Sequence, residues 1–370
     1  MTSIPQSSRA AVLRKFRDPI RIEEVPIPAE IEPGAILVKT ETCSICGTDV
    51  HLWQGDLALK VDLPVILGHE MVGRVVKLGA GADRDSAGQA LREGDRIVWT
   101  HTACNHCFFC TVARQPTLCE NRRAYMYENI ERPPYLLGGF SEYAYVLPES
   151  GRFRVPDSIS SPVASLCSCA FRSVMNAYSN LGEIQAHETV VVQGSGPLGL
   201  LAGAVVSVAG ARKVVVIGAP DARLELAREF GADEVISVER SSPAERLDKV
   251  LSLTDGRGAD VVMEFTGHPG AFNEGLNMAR RGGRYLVVGQ LGEGETTIKP
   301  STIVKKNLRL IGSFSGDARS YWQALRFVDR WQQRIPFEKM ITNKFSIDDV
   351  NTALTRMQSL QEIKPVIEFA

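Results

Sequence analysis

The chain has 370 residues, which is long for one hydrophobic core and natural for two domains. It is 44% hydrophobic and 23% charged, a composition typical of a globular protein. Its 42 basic and 43 acidic residues nearly cancel, so we expect neither nucleic acid nor an anionic membrane as a partner. No apolar run reaches the roughly 18 residues of a membrane-spanning helix. The start of the chain also lacks the charged and apolar layout of a signal peptide, which predicts a cytoplasmic protein.

Short strands are predicted in the first part of the chain. Residues 10–42 alternate apolar and polar runs broken by prolines and Gly34, and further strands are predicted at 71–76 and 96–99. Residues 79–93 are expected to form a surface excursion without an assigned function. Dense turns between short strands indicate a compact β-rich domain.

The eight cysteines fall in three groups along the chain. They could in principle pair as disulfides, but their clustering is typical of reduced thiols that bind metal. The groups are Cys43 and Cys46; Cys104, Cys107, Cys110 and Cys119; and Cys167 and Cys169.

The stretch from Cys46 to His51 brings a thiol, a hydroxyl, a carboxylate and an imidazole close together in sequence. A lone cysteine or histidine is more often structural, but here His69 follows, and then the pair Cys167 and Cys169. Two cysteines and a histidine could hold one zinc ion with a fourth position open, the pattern of a catalytic site. Such a zinc acts as a Lewis acid on an alcohol oxygen.

Neighbouring polar residues fit the same chemistry. Thr48 can receive the alcohol proton, and His51 can carry it towards solvent. Asp49 is placed to orient a ligand imidazole. Glu70 either approaches the zinc or braces His69, and we favour the second role.

The second cysteine group predicts a structural zinc site, because four thiolates in one short lobe can surround zinc and leave no open position. The lobe comprises Cys104, Cys107, Cys110 and Cys119. A zinc-ribbon nucleic-acid module is the rival interpretation, disfavoured by the spacing and by the neutral charge balance. His101 and His106 flank the lobe, and we expect them to be exposed or locally hydrogen-bonded. Residues 121–148 are rich in aromatic side chains, from which no pocket residue is assigned.

A glycine-rich turn follows the apolar run at residues 189–193, which is typical of a buried strand. The turn consists of Gly194, Ser195, Gly196, Pro197, Leu198 and Gly199. Because it follows a strand and opens an apolar helix, it matches the dinucleotide-binding fingerprint. Such glycines let the backbone approach a pyrophosphate, whose charge the helix N-terminus faces.

Strands and helices continue to alternate after this turn. Strands are predicted at 213–217, 234–237, 260–264, 284–289 and 308–313, and helices at 220–230, 243–253 and 269–279. The alternation predicts an α/β fold with a doubly wound parallel sheet, a Rossmann domain at residues 170–316. Residues 1–169 and 317–370 would form the β-rich catalytic domain, with zinc and nicotinamide on opposite walls of the cleft between the domains.

The motifs together carry a family resemblance. The Cys-Gly-Thr-Asp-x-His run from Cys46, the Gly-His-Glu around His69, the four-cysteine lobe and the late glycine-rich turn resemble the zinc-dependent medium-chain alcohol dehydrogenases. The resemblance covers essentially the whole chain and implies a GroES-like catalytic domain. Residues 193–199, the segment after Cys119 and the ending 363–367 are similar to a bacterial subgroup of secondary-alcohol enzymes that includes a hydroxycamphor dehydrogenase.

The resemblance also implies which cysteines bind the catalytic zinc. Cys46 is favoured over Cys43 because only Cys46 directly precedes Gly-Thr-Asp. Cys169 is favoured over Cys167 because it fits the family's order, in which a ligand cysteine opens the helix leading to the cofactor domain. We therefore expect two zinc ions per subunit, one catalytic and one structural.

The cofactor is less clearly defined, because Gly218 stands where an acidic residue normally binds the adenosine ribose. Arg223 could meet a ribose hydroxyl or pair with a phosphate. In the resembled family NAD is common with a basic residue at this position, so we favour NAD and keep NADP as the alternative. Lys364 matches a family position whose cation reaches the cofactor pyrophosphate; an exposed lysine is the alternative.

These patterns predict a zinc-dependent alcohol dehydrogenase that forms a ketone or aldehyde from a small-molecule alcohol with NAD(P). A zinc-independent quinone or enone reductase of the same superfamily and a non-catalytic nucleotide-binding relative are disfavoured, because the ligand set and Thr48 are intact. Trp53 and Trp99 lie near the cysteine motifs in sequence, which suggests a narrow pocket for an apolar secondary alcohol. Closed homo-oligomers are the default for such enzymes, so a homodimer or homotetramer is expected.

Overall fold

The computed structural model describes residues 4–57, 60–292 and 294–369, and the chain folds into two compact units. Unit 1 comprises Met1–Arg172, Gly316–Trp331 and Met340–Ala370, and unit 2 comprises Ser173–Ser315 and Gln332–Lys339. Within the described ranges, no helix combines the length and apolar character needed to cross a bilayer.

The strands in chain order are β1 (Ser7–Leu13), β2 (Arg21–Pro26), β3 (Ile36–Ser44), β4 (Val65–Ile66), β5 (Glu70–Leu78), β6 (Arg96–Trp99), β7 (Tyr143–Val146), β8 (Arg152–Arg154), β9 (Thr189–Gln193), β10 (Lys213–Gly218), β11 (Glu234–Ser237), β12 (Ala259–Glu264), β13 (Ala279–Val287), β14 (Arg309–Gly312), β15 (Lys344–Phe345) and β16 (Val366–Glu368). The α-helices are α1 (Gly47–Gln54), α2 (Phe108–Thr111), α3 (Ser161–Leu166), α4 (Ala170–Leu181), α5 (Pro197–Val208), α6 (Asp221–Glu229), α7 (Pro243–Leu253), α8 (Pro269–Met278), α9 (Pro300–Lys306), α10 (Ala318–Trp331) and α11 (Val350–Gln358). Short 3₁₀ helices lie at Pro116–Leu118, Phe337–Met340 and Ile347–Asp349.

Unit 2 is built on a parallel six-stranded sheet in the order β11-β10-β9-β12-β13-β14. The first strand, β9, lies in the middle, and later strands are added on one side and then on the other. This is the strand order of a Rossmann fold, with its switch point beside β9. Valines of the central strands, Val191, Val215 and Val262, are fully buried in its core. The predicted doubly wound sheet is confirmed.

Unit 1 contains a three-stranded sheet, β2-β1-β4, and a larger sheet in the order β15-β16-β3-β5-β6-β8, with β7 also paired to β3. The antiparallel pair β3 and β5 forms its centre, with Ser44 opposite Glu70 at one end. The C-terminal strand β16 lies on the other side of β3, where Val366 is opposite Ser44. Residues from three distant parts of the chain therefore meet at one end of this sheet.

Two features differ from the sequence-based description of the second half. Helix α9 was not predicted, and none of its residues is buried, so it carries no apolar periodicity to signal it. Residues 332–339 belong to unit 2, although the sequence grouped them with the first domain. They are held there by an ion pair of 2.5 Å between Lys339 Nζ and Glu229 Oε2 and by edge-on packing of Phe337 against Phe230.

A lysine closes the C-terminal end of α8. Lys306 Nζ donates hydrogen bonds to the carbonyl oxygens of Leu276, Asn277 and Ala279 at 2.9, 2.7 and 2.8 Å. These carbonyls lack partners within the helix, and a cation near them also opposes the negative end of the helix dipole.

We expect Lys306→Met to destabilise unit 2 by about 1–3 kcal/mol, because it leaves these carbonyls without their donor while keeping the length of the side chain. Urea unfolding followed by circular dichroism measures the change. Lys305→Met is the matched control, since Lys305 is exposed and lies on the same helix. Equal stability of the two variants would contradict this account of the helix end.

Candidate active site

Helix α1 begins directly after β3, with Cys46 as its N-cap. The Cys46 backbone N–H donates to Asp49 Oδ2 at 2.8 Å, which satisfies a donor at the start of the helix. Asp49 is fully buried, and its second oxygen accepts the Gly68 N–H at 3.0 Å and lies 3.4 Å from His69 Nδ1. One carboxylate therefore joins the two loops that carry Cys46 and His69.

Gly68 is required by the geometry of the second loop. Its φ is +87°, a left-handed conformation that favours glycine, and a Cβ here would lie 2.5 Å from Phe140 Cδ1. The turn at Gly68 directs His69 towards Asp49.

The structure brings four potential metal ligands together. One ligand atom from each of Cys46, His69, Glu70 and Cys169 lies within 4.8 Å of the others. Two thiolates, an imidazole and a carboxylate form a donor set that suits zinc. We call these four residues the cysteine–histidine cluster. Their neighbours in sequence, Cys43 and Cys167, are fully buried outside this set.

The cluster shifts the pKa values of its own members. The hydrogen bond from Cys46 lowers the pKa of Cys169 well below its ordinary value, and His69 and Arg172 lower it further. That hydrogen bond and burial raise the pKa of Cys46. Burial acts to lower the pKa of His69, but Asp49 and Cys169 raise it overall. Because metal ligands must be deprotonated, zinc binding here would release protons.

A buried ion pair lies beside the cluster. Lys364 Nζ is 2.5 Å from Glu70 Oε1 and 3.4 Å from the Ile45 carbonyl oxygen, and both charged side chains are at most 1% exposed. Burial raises the pKa of Glu70 to about 7, although Lys364 opposes the shift. The alternative of an exposed lysine at this position is wrong, because the pairing of β16 with β3 carries Lys364 into the interior.

Thr48 and His51 lie in different surroundings. Thr48 Oγ1 is 3.7 Å from Cys46 Sγ, beside the cluster. The His51 side chain is 59% exposed, and its Nδ1 is 2.9 Å from Asp56 Oδ1. The structure thus places the threonine at the cluster and the histidine at the surface.

His101 is a neighbour of the cluster that the sequence did not identify. Its ring stacks on His69 with centroids 6.2 Å apart, and on Tyr125 at 6.0 Å. The Tyr125 backbone N–H points to His101 Nδ1 at 3.2 Å, which assigns the proton of the neutral ring to Nε2. Burial lowers the pKa of His101 well below its ordinary value, and Arg122 and Arg172 act in the same direction. A neutral N–H donor therefore lies next to His69.

The register of two strands explains this placement. Val72 on β5 lies opposite Val98 on β6, so continuing the antiparallel pairing past the strand ends sets His69 opposite His101. No local motif marks the residue. Only the pairing register could have revealed it.

The tryptophans do not support the suggested narrow pocket. Trp99 is 1% exposed and packs edge-on against Tyr125, so two rings, those of Tyr125 and His101, separate it from His69. The Trp53 indole N–H donates to the Asp18 carbonyl oxygen at 2.8 Å. Nearness in sequence was a poor guide to pocket position here.

The four-cysteine lobe forms a second compact donor set. The sulfur atoms of Cys104, Cys107, Cys110 and Cys119 lie within 4.8 Å of one another. Backbone N–H groups stabilise its thiolates: the N–H of His106 is the main cause that lowers the pKa of Cys104 to about 6. Burial raises the pKa of Cys110 to about 12. Four sulfurs without a nitrogen or oxygen ligand fit a closed tetrahedral zinc site.

The glycine-rich turn of unit 2 lies between β9 and α5. Gly194 has φ +114°, and a Cβ at Gly199 would lie only 1.9 Å from the Gly194 carbonyl oxygen. The close approach of helix and strand therefore depends on these glycines. A Cβ at Gly218 would lie 2.3 Å from Ser195 Oγ, which itself donates to the Ala219 carbonyl oxygen at 2.9 Å. The turn leaves no room for an acidic side chain at the end of β10.

Comparison with known proteins gives a consistent assignment. The model of the alcohol dehydrogenase GroES-like domain matches residues 32–157, and that of zinc-binding dehydrogenases matches residues 197–330. The chain is 35% identical to 5-exo-hydroxycamphor dehydrogenase from Pseudomonas putida over 367 residues, covering 98% of this chain and 99% of that protein. It is 32% identical to L-threonine 3-dehydrogenase from an Anaeromyxobacter species over 351 residues, 94% of each chain.

Comparison of the fold with solved structures supports the same assignment. The crystal structure of an alcohol dehydrogenase from Thermotoga maritima superposes with a TM-score of 0.93 at 34% identity, covering 98% of this chain and 99% of that one. The chain belongs to the zinc-dependent medium-chain alcohol dehydrogenase family, as its motifs predicted. It is an NAD(P)-dependent oxidoreductase with alcohol dehydrogenase activity.

The buried pair of Glu70 and Lys364 generates a prediction about stability. Lys364→Met should lower the free energy of unfolding by about 3–5 kcal/mol, because it leaves the Glu70 carboxylate buried without its cation. Urea unfolding of the zinc-loaded protein measures the loss. Lys364 acts to lower the pKa of Glu70, so its removal raises that pKa further, and the loss should be larger at pH 8 than at pH 6, where Glu70 can take up a proton.

The double variant Glu70→Gln/Lys364→Met is the control. Removing both charges should restore most of the lost stability, because no unpaired ion remains. A double variant as unstable as the sum of its single substitutions would show that packing, not charge pairing, causes the loss.

Proposed function

We propose that Cys46, His69 and Cys169 hold a catalytic zinc ion, and that the four-cysteine lobe holds a structural one. The observation that carries the proposal is the convergence of these ligand atoms within 4.8 Å in two separate groups. The catalytic zinc, when bound, supplies Lewis acidity to the alcohol oxygen. Asp49 orients His69, and Glu70 is held beside the ligands by Lys364. Two zinc ions per subunit follow.

The chain's own residues then move the proton. Thr48, beside Cys46, receives it from the substrate hydroxyl, and His51 passes it to water. The exposure of His51 supports this last step, because its ring already faces solvent. A bound nicotinamide would accept the hydride of the alcohol carbon, so that the alcohol would become a ketone or aldehyde.

For the cofactor we propose NAD, with the pyrophosphate at residues Gly194 to Gly199 and the adenosine ribose near Gly218 and Arg223. The steric limit at Gly218 explains the missing carboxylate, and one arginine without a basic cluster supports NAD over NADP. Arg223 is partly buried at the start of α6, and this burial lowers its pKa. We assign Lys364 to Glu70 rather than to the pyrophosphate, because its Nζ is buried in that ion pair.

The substrate we propose is a small apolar secondary alcohol. That the alcohol is secondary is supported by two relatives, 5-exo-hydroxycamphor dehydrogenase and L-threonine 3-dehydrogenase, whose names refer to a ring hydroxyl of camphor and to carbon 3 of threonine. Both positions are secondary carbinols. The side chain that stacks on His69 is the neutral imidazole of His101 and not a second carboxylate. An uncharged neighbour of this kind suits an uncharged substrate.

A homodimer or homotetramer is also proposed. Strand β14 ends the six-stranded sheet and is paired only with β13 among the described strands. Leu310 on this edge is 40% exposed, and Val304 of the preceding helix is 78% exposed. An open strand edge with apolar neighbours is suited to pairing with a second copy of the chain.

The zinc assignment is tested by Cys46→Ala. We expect turnover to be abolished and the zinc content to fall from two ions to one per subunit, because only the catalytic set loses a ligand. Metal analysis by mass spectrometry and an NADH absorbance assay measure both. Cys43→Ala, at the neighbouring buried cysteine outside the cluster, is the control and should keep both ions. Full activity of Cys46→Ala would remove the proposed mechanism.

His51→Gln tests the proton relay. Proton release should slow mainly at low pH, because there water and hydroxide are least able to accept the proton in place of His51. The decrease of kcat with falling pH should therefore become steeper. The pH profile of kcat for alcohol oxidation measures this effect. A profile that matches the wild type would count against a relay through His51.

A substrate screen tests the alcohol class. Primary, acyclic secondary and alicyclic alcohols, each offered with NAD and with NADP, are compared by kcat/KM at the absorbance of the reduced cofactor. We expect alicyclic secondary alcohols and NAD to give the highest values. If primary alcohols gave the highest kcat/KM, the proposed substrate class would be wrong.

A further inference from the structure

A concavity lies at the edge of the six-stranded sheet where its strands begin. It has a volume of about 770 Å³ and is bordered by the first residues of β9 and β12, by residues 254–258 and by the start of β13. We call it the basic concavity. The glycine-rich turn follows the opposite, carboxyl end of β9, so the two features lie at opposite edges of the sheet.

Positive charge predominates in the lining. The basic concavity is lined by His187, Arg212, Arg257, Arg280 and Arg281, against two aspartates, Asp255 and Asp260. The lining carries four arginines and two carboxylates, which leaves two net positive charges with His187 neutral.

Both aspartates are already paired. Arg280 Nε lies 2.5 Å from Asp260 Oδ1, and Arg257 Nη2 lies 2.7 Å from Asp255 Oδ2. Asp260 Oδ2 also accepts the Thr189 N–H at 2.8 Å.

Two arginines remain without a counter-charge. Within the part of the chain that the structure describes, neither the Arg212 nor the Arg281 side chain makes a hydrogen bond or an ion pair. Both are exposed at the rim of the concavity. Two guanidinium groups facing one space offer paired N–H donors to an anion with several oxygens.

We propose that the basic concavity binds a phosphorylated small molecule with at least two negatively charged phosphate groups. Its volume falls within the range of ligand pockets. Its lining residues are charged, polar or glycine, which suits a hydrated polyanion better than an apolar molecule. Nucleic acid fits less well, because His187 is the one aromatic ring among the described residues that line the concavity, too few to stack successive bases.

The experiment must separate this site from the glycine-rich turn, which is the proposed site of the cofactor pyrophosphate. Inorganic tripolyphosphate is titrated into the full-length enzyme by calorimetry at constant ionic strength, with saturating NADH present. Wild type is compared with Arg212→Gln/Arg281→Gln. The matched control is Arg228→Gln/Lys249→Gln, which removes the same charge from exposed positions of α6 and α7 outside the concavity.

We expect tripolyphosphate to bind the NADH-saturated wild type, and the Arg212→Gln/Arg281→Gln variant to bind about tenfold more weakly or not at all. The control variant should bind within about twofold of wild type, because it keeps both guanidinium groups at the rim. Unchanged alcohol oxidation in both variants would show that they fold. Loss of wild-type binding when NADH is added would assign the anion to the cofactor turn and overturn the proposal. If the control variant lost as much affinity for tripolyphosphate, the proposal would also be overturned, because the loss would then follow from the total charge of the protein rather than from the two arginines at the rim.

A parallel titration with ATP tests whether the basic concavity recognises only a phosphate chain or a whole nucleotide. Tripolyphosphate binding as tightly as ATP indicates a site that recognises only the phosphate chain. ATP binding about tenfold more tightly indicates a nucleotide site, and either result supports the proposal.

Discussion

The buried carboxylate of Asp49 is the interaction on which the site depends. One oxygen holds the Cys46 N–H and the other holds the Gly68 N–H, 3.4 Å from His69 Nδ1. A buried carboxylate is costly unless its oxygens are satisfied, so both loops are confined to positions that satisfy it. The spacing of Cys46 and His69 is therefore set by the fold.

The register of the larger sheet of unit 1 brings Glu70 and Lys364 close to Cys46 and His69. Ser44 at the end of β3 lies opposite Glu70 on one side and Val366 on the other. The chain leaves β3 into Cys46, enters β5 from His69 and enters β16 after Lys364. Three strands from the beginning and the end of the chain therefore bring their chemistry to one place. Local sequence supplies the residue types, and long-range pairing supplies their distances.

The difference between local sequence patterns and long-range strand pairing explains what could be predicted from the sequence. The glycine-rich turn and the alternating strands of unit 2 are local patterns, and the predicted strand at 234–237 and helix at 243–253 have the observed bounds. His101 was missed because its neighbour His69 depends on the register of β5 with β6. The burial of Lys364 was missed for a similar reason, since it needs β16 to pair with β3. The argument from Trp53 and Trp99 used sequence distance in place of such pairing, and their local contacts do not support it.

Charge balance explains why a lysine lies in the interior beside the cluster. With zinc bound, the thiolates of Cys46 and Cys169 and the carboxylates of Glu70 and Asp49 carry four negative charges. A bound zinc ion would supply two positive charges, and the buried cations Lys364 and Arg172 lie beside the same acidic groups, with Arg122 close to Arg172. In a low-dielectric interior an unpaired charge costs several kcal/mol, so these cations stabilise the buried acidic groups.

The two carboxylate oxygens of Glu70 have different surroundings. The Oε1 atom of Glu70 accepts a hydrogen bond from the Lys364 ammonium, while its Oε2 atom has no hydrogen-bond partner in the described structure. The unpaired oxygen of Glu70 makes the electrostatic potential at the two nearby thiolates more negative. The Lys364 ammonium, on the other side of Glu70, offsets this charge and so limits its cost to the stability of the fold. Glu70 and Lys364 together place a buried ion pair beside the cysteine–histidine cluster, and the pair adds no net charge to it.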